Sequence, residues 1–297
     1  MPSLTSRLLP LYFRLVRGNR IFASATAAQE HLEARAAQPT SHTPPRLRRD
    51  VVVTAGTRHG WPVYELTPLS SAPIGSVLYL HGGAWVNEVA LQHWQLAAQL
   101  AAESQTTVIL PIYPLVPAGT ALAVNDVVVE LALAAARDHG SVILAGDSAG
   151  GQIVLTAVAS LRDDHGVVLP LTVLISPAID PSMKNPDMDV VQPSDPWLAK
   201  PGNVVFLDSW LGGLSVEDPR VNALDADLGG LGPMLLFSGT RDILNPDARL
   251  FAARASEAGV DVDYRELPGL LHVYPLTPTP EGRAARRLIV SRVRAAR

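Results

Sequence analysis

The stretch 141–151, SVILAGDSAGG, decides how the rest of the chain is read. Val142, Ile143, Leu144 and Ala145 form an unbroken apolar run, the pattern of a strand buried on both faces. The run passes directly into Gly146-Asp147-Ser148-Ala149-Gly150, which fits G-x-S-x-G, and residues 152–161 continue at helical spacing. Strand, sharp turn and helix are the context in which this pattern holds a serine in a strained turn with its hydroxyl exposed. Small residues on either side let strand and helix approach one another. Ser148 is therefore a candidate nucleophile, and the N–H of Ala149 faces the place where charge would develop on a carbonyl oxygen.

Working outward, short apolar runs alternate with helical stretches. Strands are expected at 76–80, 106–113, 171–177, 233–242 and 260–267. Helices are expected at 92–103, 125–139 (with Asp126 near its start), 246–258 and 282–296. Residues 51–55 and 63–66 read as two strands joined by a turn around Arg58-His59-Gly60. The alternation implies an α/β fold, a mostly parallel central sheet flanked by helices. Residues 4–37 read as helical, with Leu8, Leu11, Tyr12, Leu15 and Val16 at helix spacing and Arg14 and Arg17 between them. The stretch 38–49 is a linker, since Pro44-Pro45 cannot continue a helix. Residues 178–228 break the alternation, and an excursion of that length between two strands suits a lid better than a plain crossover.

Composition narrows the function classes. A chain of 297 residues, 47% hydrophobic and 18% charged, can bury one large core without staples. Its lack of cysteine excludes disulfides, thiolate metal sites and a cysteine nucleophile. A net charge of −4 gives no general case for nucleic acid as a partner. The charge is uneven, however. Residues 1–49 hold eight arginines against Glu30 and Glu33, a net of +6, which leaves −10 for the rest. No apolar run is long enough for a membrane span, and the start lacks the features of a secretory signal. A cytoplasmic protein is the expectation. Two readings of the N-terminal segment stay open: a helix covering the core, or an amphipathic segment (1–20) giving weak membrane or lipid contact and a peripheral location.

A serine needs a base and an orienting acid, and in a sheet of this kind they follow in the order serine, acid, histidine. His272, in LPGLLHVYP after the last expected strand, suits the base. Asp242, in SGTRDIL at the end of the preceding strand, suits the acid, with Asp126 and Asp180 as weaker competitors. His81-Gly82-Gly83-Ala84-Trp85 ends the strand 76–80, and a glycine pair there frees backbone N–H groups to face a substrate carbonyl. His81 itself is expected to hold that loop by a side-chain hydrogen bond. His165 lies in a polar loop, RDDHG. Trp85, Trp197, Phe206 and Trp210 are candidate pocket walls, with ordinary packing as the competing reading.

Together these residues resemble the hormone-sensitive-lipase group of the α/β-hydrolase fold, the bacterial family IV esterases, from about residue 51 to the C-terminus. HGGAW (81–85) and GDSAGG (146–151) look like the family's two spaced motifs. PIYPLVP (111–117), Asn125-Asp126, 176–187, DPWL (195–198), DPRVNAL (218–224) and GTRDIL (239–244) are similar to further family segments. The resemblance implies a carboxylester hydrolase, lipase or esterase in type, with Ser148, Asp242 and His272 as a triad and no cofactor or metal. It implies an oxyanion hole from the N–H groups of Gly83, Ala84 and Ala149, with Gly82 shaping the loop. It divides the chain into N-terminal cap helices (1–45), a core (46–177 and 229–297) and a cap insertion (178–228). Dimerisation through the last sheet edge, 260–267, is a further implication. Two departures stand out: Ala84 replaces the third glycine of the HGG motif, and Tyr113-Pro114-Leu115-Val116-Pro117-Ala118 lacks the family's Arg and Glu. The expected substrate is a small to medium uncharged ester. A lactone or amide, or ligand capture without catalysis on the same scaffold, are the alternatives.

Overall fold

The computed structural model describes residues 2–38 and 40–296. In chain order it contains α1 (Leu4–Leu15), α2 (Ala25–Ala37), β1 (Val51–Arg58), β2 (Trp61–Pro68), β3 (Ser76–Leu80), α3 (Leu91–Ser104) and β4 (Thr107–Pro111). There follow α4 (Ala121–His139), β5 (Val142–Asp147), α5 (Ala149–His165), β6 (Thr172–Ile175), α6 (Asp187–Val191) and α7 (Lys200–Leu211). The chain closes with β7 (Met234–Gly239), α8 (Asn245–Glu257), β8 (Val262–Leu267) and α9 (Pro280–Ala295). The strands form one eight-stranded sheet in the order β1-β2-β4-β3-β5-β6-β7-β8. β1 and β2 are antiparallel, β2 is antiparallel to β4, and every later pairing is parallel.

The central strands are apolar at every position because both faces are covered, and successive side chains serve opposite faces. Leu78, Leu80, Leu144 and Leu236 point to the side where Val128, Val154 and Phe251 of α4, α5 and α8 pack. Val77, Tyr79, Ile143, Leu235 and Phe237 point to the side covered by Trp94 and Leu100 of α3 and Ile289 and Val293 of α9. Register then sets the site. Leu80 pairs with Gly146, so the loop after β3 and the turn after β5 emerge side by side. The loops after β7 and β8 emerge at the same end, since all these strands run parallel, and a crevice at the carboxyl ends of strands is where such sheets hold ligands.

Several boundaries differ from the sequence reading for local reasons. Residues 4–37 form two helices, because the N–H of Gly18 turns back to Phe13 O at 2.8 Å and Arg17 adopts φ 51°. Ser24 then caps α2, its hydroxyl accepting from the N–H of Ala27 at 3.1 Å. α4 begins at Ala121 behind Thr120, so Asp126 is an exposed residue of the second turn. Asp180 does not reach the serine. It accepts from Ser182 N and Asn222 Nδ2, tying the two ends of the excursion together.

The N-terminal correction is the largest. Leu8, Leu11, Tyr12, Leu15 and Val16, which would be buried on the first of the two readings of this segment, a helix covering the core, are all exposed. The inward face of α1 is Ser6, Leu9, Pro10 and Phe13. α1 is docked on α9 through Glu281, which accepts from the N–H and hydroxyl of Ser3 and the hydroxyl of Ser6. Burial works against charge on Glu281, but these bonds outweigh it and hold the carboxyl at about 2. α2 and α7 pack together, and the N–H of Gly202 on α7 donates to Phe22 O at 3.0 Å.

Candidate active site

Ser148 sits between β5 and α5 with φ 53° and ψ −120°, a conformation a serine adopts only under constraint. Its backbone supplies the constraint. The N–H donates to Ile175 O at 2.9 Å, and the carbonyl accepts from Gln152 N and Ala178 N at 3.2 and 3.0 Å. Glycine is required at 150, where a Cβ would lie 2.1 Å from Leu80 O. The close seating of α5 on β3 follows from that missing carbon.

His272 follows β8, and its Nε2 lies 3.0 Å from Ser148 Oγ. Its Nδ1 lies 2.8 Å from Asp242 Oδ2, while Asp242 Oδ1 accepts from Leu244 N at 3.0 Å. With the proton on Nδ1, donated to Asp242, Nε2 is left to accept from the serine hydroxyl. Both His272 and Asp242 are buried. Burial alone would depress the imidazole, but the charge and hydrogen bond of Asp242 outweigh it, with Asp195 and Asp147 adding to them, and raise its pKa above 6.5. The ring of Trp197 meets His272 edge to face at 5.6 Å.

A second carboxylate backs this pair. Asp195, from the excursion after β6, accepts from Ile243 N at 2.9 Å and from Trp197 N and Leu198 N at 2.8 and 3.0 Å. Burial, then the charge of Asp242, push its pKa up to about 6. The sequence offered DPWL (195–198) as a segment but no role for Asp195, because its partner Ile243 is 48 residues away.

The other side of the serine is the loop 81–85. Asp147, the variable residue of the serine motif, accepts from Tyr79 OH at 2.5 Å, Gly82 N at 3.1 Å and His93 Nε2 at 3.3 Å. Burial disfavours its charge, but the His93 imidazole and the bonds from His93 and Tyr79 lower its pKa nonetheless. A Cβ on Gly82 would fall 2.3 Å from Asp147 Oδ2, so only glycine fits between them. The N–H of Gly82 is thus engaged by Asp147. By contrast, the N–H groups of Gly83, Ala84 and Ala149 meet no acceptor among the described residues. All three residues line the same cavity as Ser148. Gly83, Ala84 and Trp85 hold φ of 130°, 52° and 57°, pinned by the N–H groups of Val86 and Asn87 bonding to Gly83 O at 3.2 and 2.9 Å.

His81 is buried, stacked on Tyr113 at 4.6 Å, with Nδ1 2.7 Å from Gly82 O. Burial, then the neighbouring His93, lower its pKa to about 4. Its contacts hold the loop, and none of its hydrogen bonds reaches Ser148. His165 is exposed at the end of α5.

The cavity over Ser148 has a volume of about 670 Å³. Trp85 and Trp197 line it. Phe206 and Trp210 do not, and both are packed behind its wall. Phe206 meets Phe22 edge to face at 5.9 Å. Trp210 stacks on Trp85 at 5.8 Å and donates from Nε1 to Gln152 Oε1 at 3.0 Å. Both belong to the buried face of α7, so they support the wall without touching its contents. The wall opposite the sheet contains residues the sequence reading missed: Leu9, Tyr12 and Phe13 of α1, Ile21 and Phe22 after it, and Leu207 of α7. Leu9 and Phe13 carry an i, i+4 signal, but a second apolar stripe on the same helix masks it.

Comparison with known proteins agrees with this fold. The profile of a family described as having the alpha/beta hydrolase fold matches residues 77–276. A triacylglycerol lipase of Mycobacterium tuberculosis is 30% identical over 81% of this chain, which spans 52% of that lipase's length. An acetyl-hydrolase of Streptomyces hygroscopicus is 31% identical over 71% of this chain and 72% of its own. The crystal structure of an esterase from the bacterial hormone-sensitive lipase family superimposes with a TM-score of 0.79 at 27% identity, covering 92% of this chain and 97% of that one.

Proposed function

The chain belongs to the α/β-hydrolase family, in its hormone-sensitive-lipase group, and from that premise we propose that it cleaves small to medium uncharged carboxylic esters through an acyl-enzyme on Ser148. The observation that carries the reading is the unbroken line from Asp242 Oδ2 through both ring nitrogens of His272 to Ser148 Oγ, at 2.8 and 3.0 Å. In this reading Ser148 Oγ attacks the ester carbonyl while His272 Nε2 takes its proton, and Asp242 orients and stabilises the resulting imidazolium. The free N–H groups of Gly83, Ala84 and Ala149 receive the oxyanion, each worth roughly 3–4 kcal/mol in the transition state. His272 returns the proton to the leaving alcohol, and a water then repeats the sequence to release the acid. The N-terminal helices and the excursion 178–228 act as the cap that shapes the acyl site.

A panel of nitrophenyl esters from acetate to palmitate, assayed on the wild type and on Ser148→Ala, tests the proposal. The wild type should hydrolyse the short and medium esters, and Ser148→Ala should lose roughly 10⁴-fold or more in kcat with unchanged thermal stability. Activity retained by Ser148→Ala would place the nucleophile elsewhere. A wild type inactive on the whole panel would remove ester hydrolysis and leave lactones, amides or ligand capture.

A further inference from the structure

The first helix is apolar on two opposite faces. One of them, Leu9 and Phe13, lines the cavity. The other is a ridge of Leu4, Leu8, Leu11 and Leu15, which are 69%, 50%, 59% and 83% exposed. At 3.6 residues per turn these four side chains fall within about 60° of the helix circumference, so they form one continuous ridge. Tyr12 stands at its edge, both exposed and part of the cavity lining, which places the ridge at the cavity mouth. Scattered exposed leucines need no explanation, but an ordered ridge of them does.

Charge says what covers it. Arg7 and Arg14 flank the ridge along the helix, and Arg17 and Arg20 follow it in the turn. All four are exposed, and among the described residues none forms an ion pair. No aspartate or glutamate precedes Glu30. Two such ridges facing one another would bring eight guanidinium groups together, while the one carboxylate docked on α1, Glu281, is already engaged by Ser3 and Ser6. An anionic lipid surface supplies both the apolar depth and the missing charge. Among the described residues no helix is long and apolar enough to cross a membrane, so the helix can only lie in the surface plane.

We propose that α1 is an interfacial helix whose outer leucine ridge seats in an anionic lipid layer, setting the cavity mouth on the layer so that a membrane-partitioned ester enters past Tyr12. The entry route is physically short. Phe13 stacks on Trp197 at 4.7 Å, and Trp197 in turn abuts His272. Lipid binding stands on the ridge and its arginines alone, whereas the delivery of substrate rests on the ester-hydrolase reading above.

The test is sedimentation with phosphatidylcholine vesicles, with and without phosphatidylglycerol, read beside hydrolysis of soluble nitrophenyl acetate and of nitrophenyl laurate carried in the vesicles. The variants are Leu8→Gln/Leu11→Gln/Leu15→Gln and Arg7→Gln/Arg14→Gln, whose side chains line no part of the cavity. The wild type should partition to the anionic vesicles, and each variant should bind at least about tenfold less. Both variants should keep the wild-type rate on soluble acetate and melting curve, and lose the wild-type advantage on vesicle-borne laurate. A wild type that stays in the supernatant, or a leucine variant that sediments like it, overturns the proposal even if acetate is hydrolysed. Concentration-dependent dimers abolished by the leucine changes, without vesicle binding, would overturn it in favour of a second copy of the chain. Vesicle binding without any ester hydrolysis would keep the surface and remove the ester reading.

Discussion

The two walls of the cavity are held by different forces. The sheet-side wall is fixed by backbone hydrogen bonds and buried carboxylates: Ser148 by Ile175, Gln152 and Ala178, the loop 81–85 by Asp147, and the Asp242 loop by Asp195. The facing wall, from α1, the turn after it and α7, rests on aromatic and aliphatic contacts such as Phe13 on Trp197 and Phe22 on Phe206. Hydrogen bonds are directional and fix atoms to fractions of an ångström, whereas apolar contacts tolerate exchange of one side chain for another of similar volume. The proposed mechanism therefore puts the chemistry on the rigid wall, and substrate preference on the one that can change without loss of the site.

The strongest challenge to that contrast is Asp147→Ala. It leaves Tyr79, His93 and the Gly82 N–H without their shared acceptor in a buried place. Denaturant unfolding should show a loss of about 3–5 kcal/mol. kcat on nitrophenyl butyrate should also fall by about 10²-fold or more as the donors of the loop 81–85 lose their aim. If stability falls while kcat does not, the two sides of the serine are not coupled through this carboxylate.

A medium effect is expected in the pH profile. In the proposed mechanism His272 must be neutral to accept the serine proton, and its pKa is raised, so kcat/KM should decline as pH falls through an inflection above 6.5. The groups holding it up are Asp242, Asp195 and Asp147. Asp195→Asn removes one of these charges and should move the inflection to lower pH. The same change turns an amide N–H₂ toward one of three backbone donors and should cost about 1–3 kcal/mol of stability. An unmoved inflection would limit Asp195 to holding its loop.

The smallest change should come from the facing wall. Phe13→Ala removes the stacking partner of Trp197 and lengthens the cavity toward α1. It should shift the preferred acyl chain to longer esters, with kcat/KM ratios between butyrate and octanoate altered by about tenfold or less. Its pH inflection should match that of the wild type, and its stability should fall by only about 1–2 kcal/mol, the loss of one partly buried aromatic pair. A loss of all activity would show that the facing wall also positions the chemistry.

What could be read without a structure is what is local. The strand–turn–helix around Ser148 and the glycine pair after β3 lie in short windows, where period and residue type leave few options, whereas the order serine, aspartate, histidine spans 124 residues and came from the chain order such sheets impose. The continuous apolar strands likewise made a mostly parallel sheet the only economical arrangement. Tertiary structure decided which segments meet. The pairing of Leu80 with Gly146 puts the loop 81–85 beside the serine, and the meetings of His93 with Asp147 and of Asp195 with Ile243 join residues about 50 positions apart. It also decided direction: which of two apolar faces of α1 turns inward, and that Phe206 and Trp210 stand behind the wall and not in it. Spacing along a chain identifies a face, but only the shape and charge of what packs against it select whether that face meets core, substrate or surroundings.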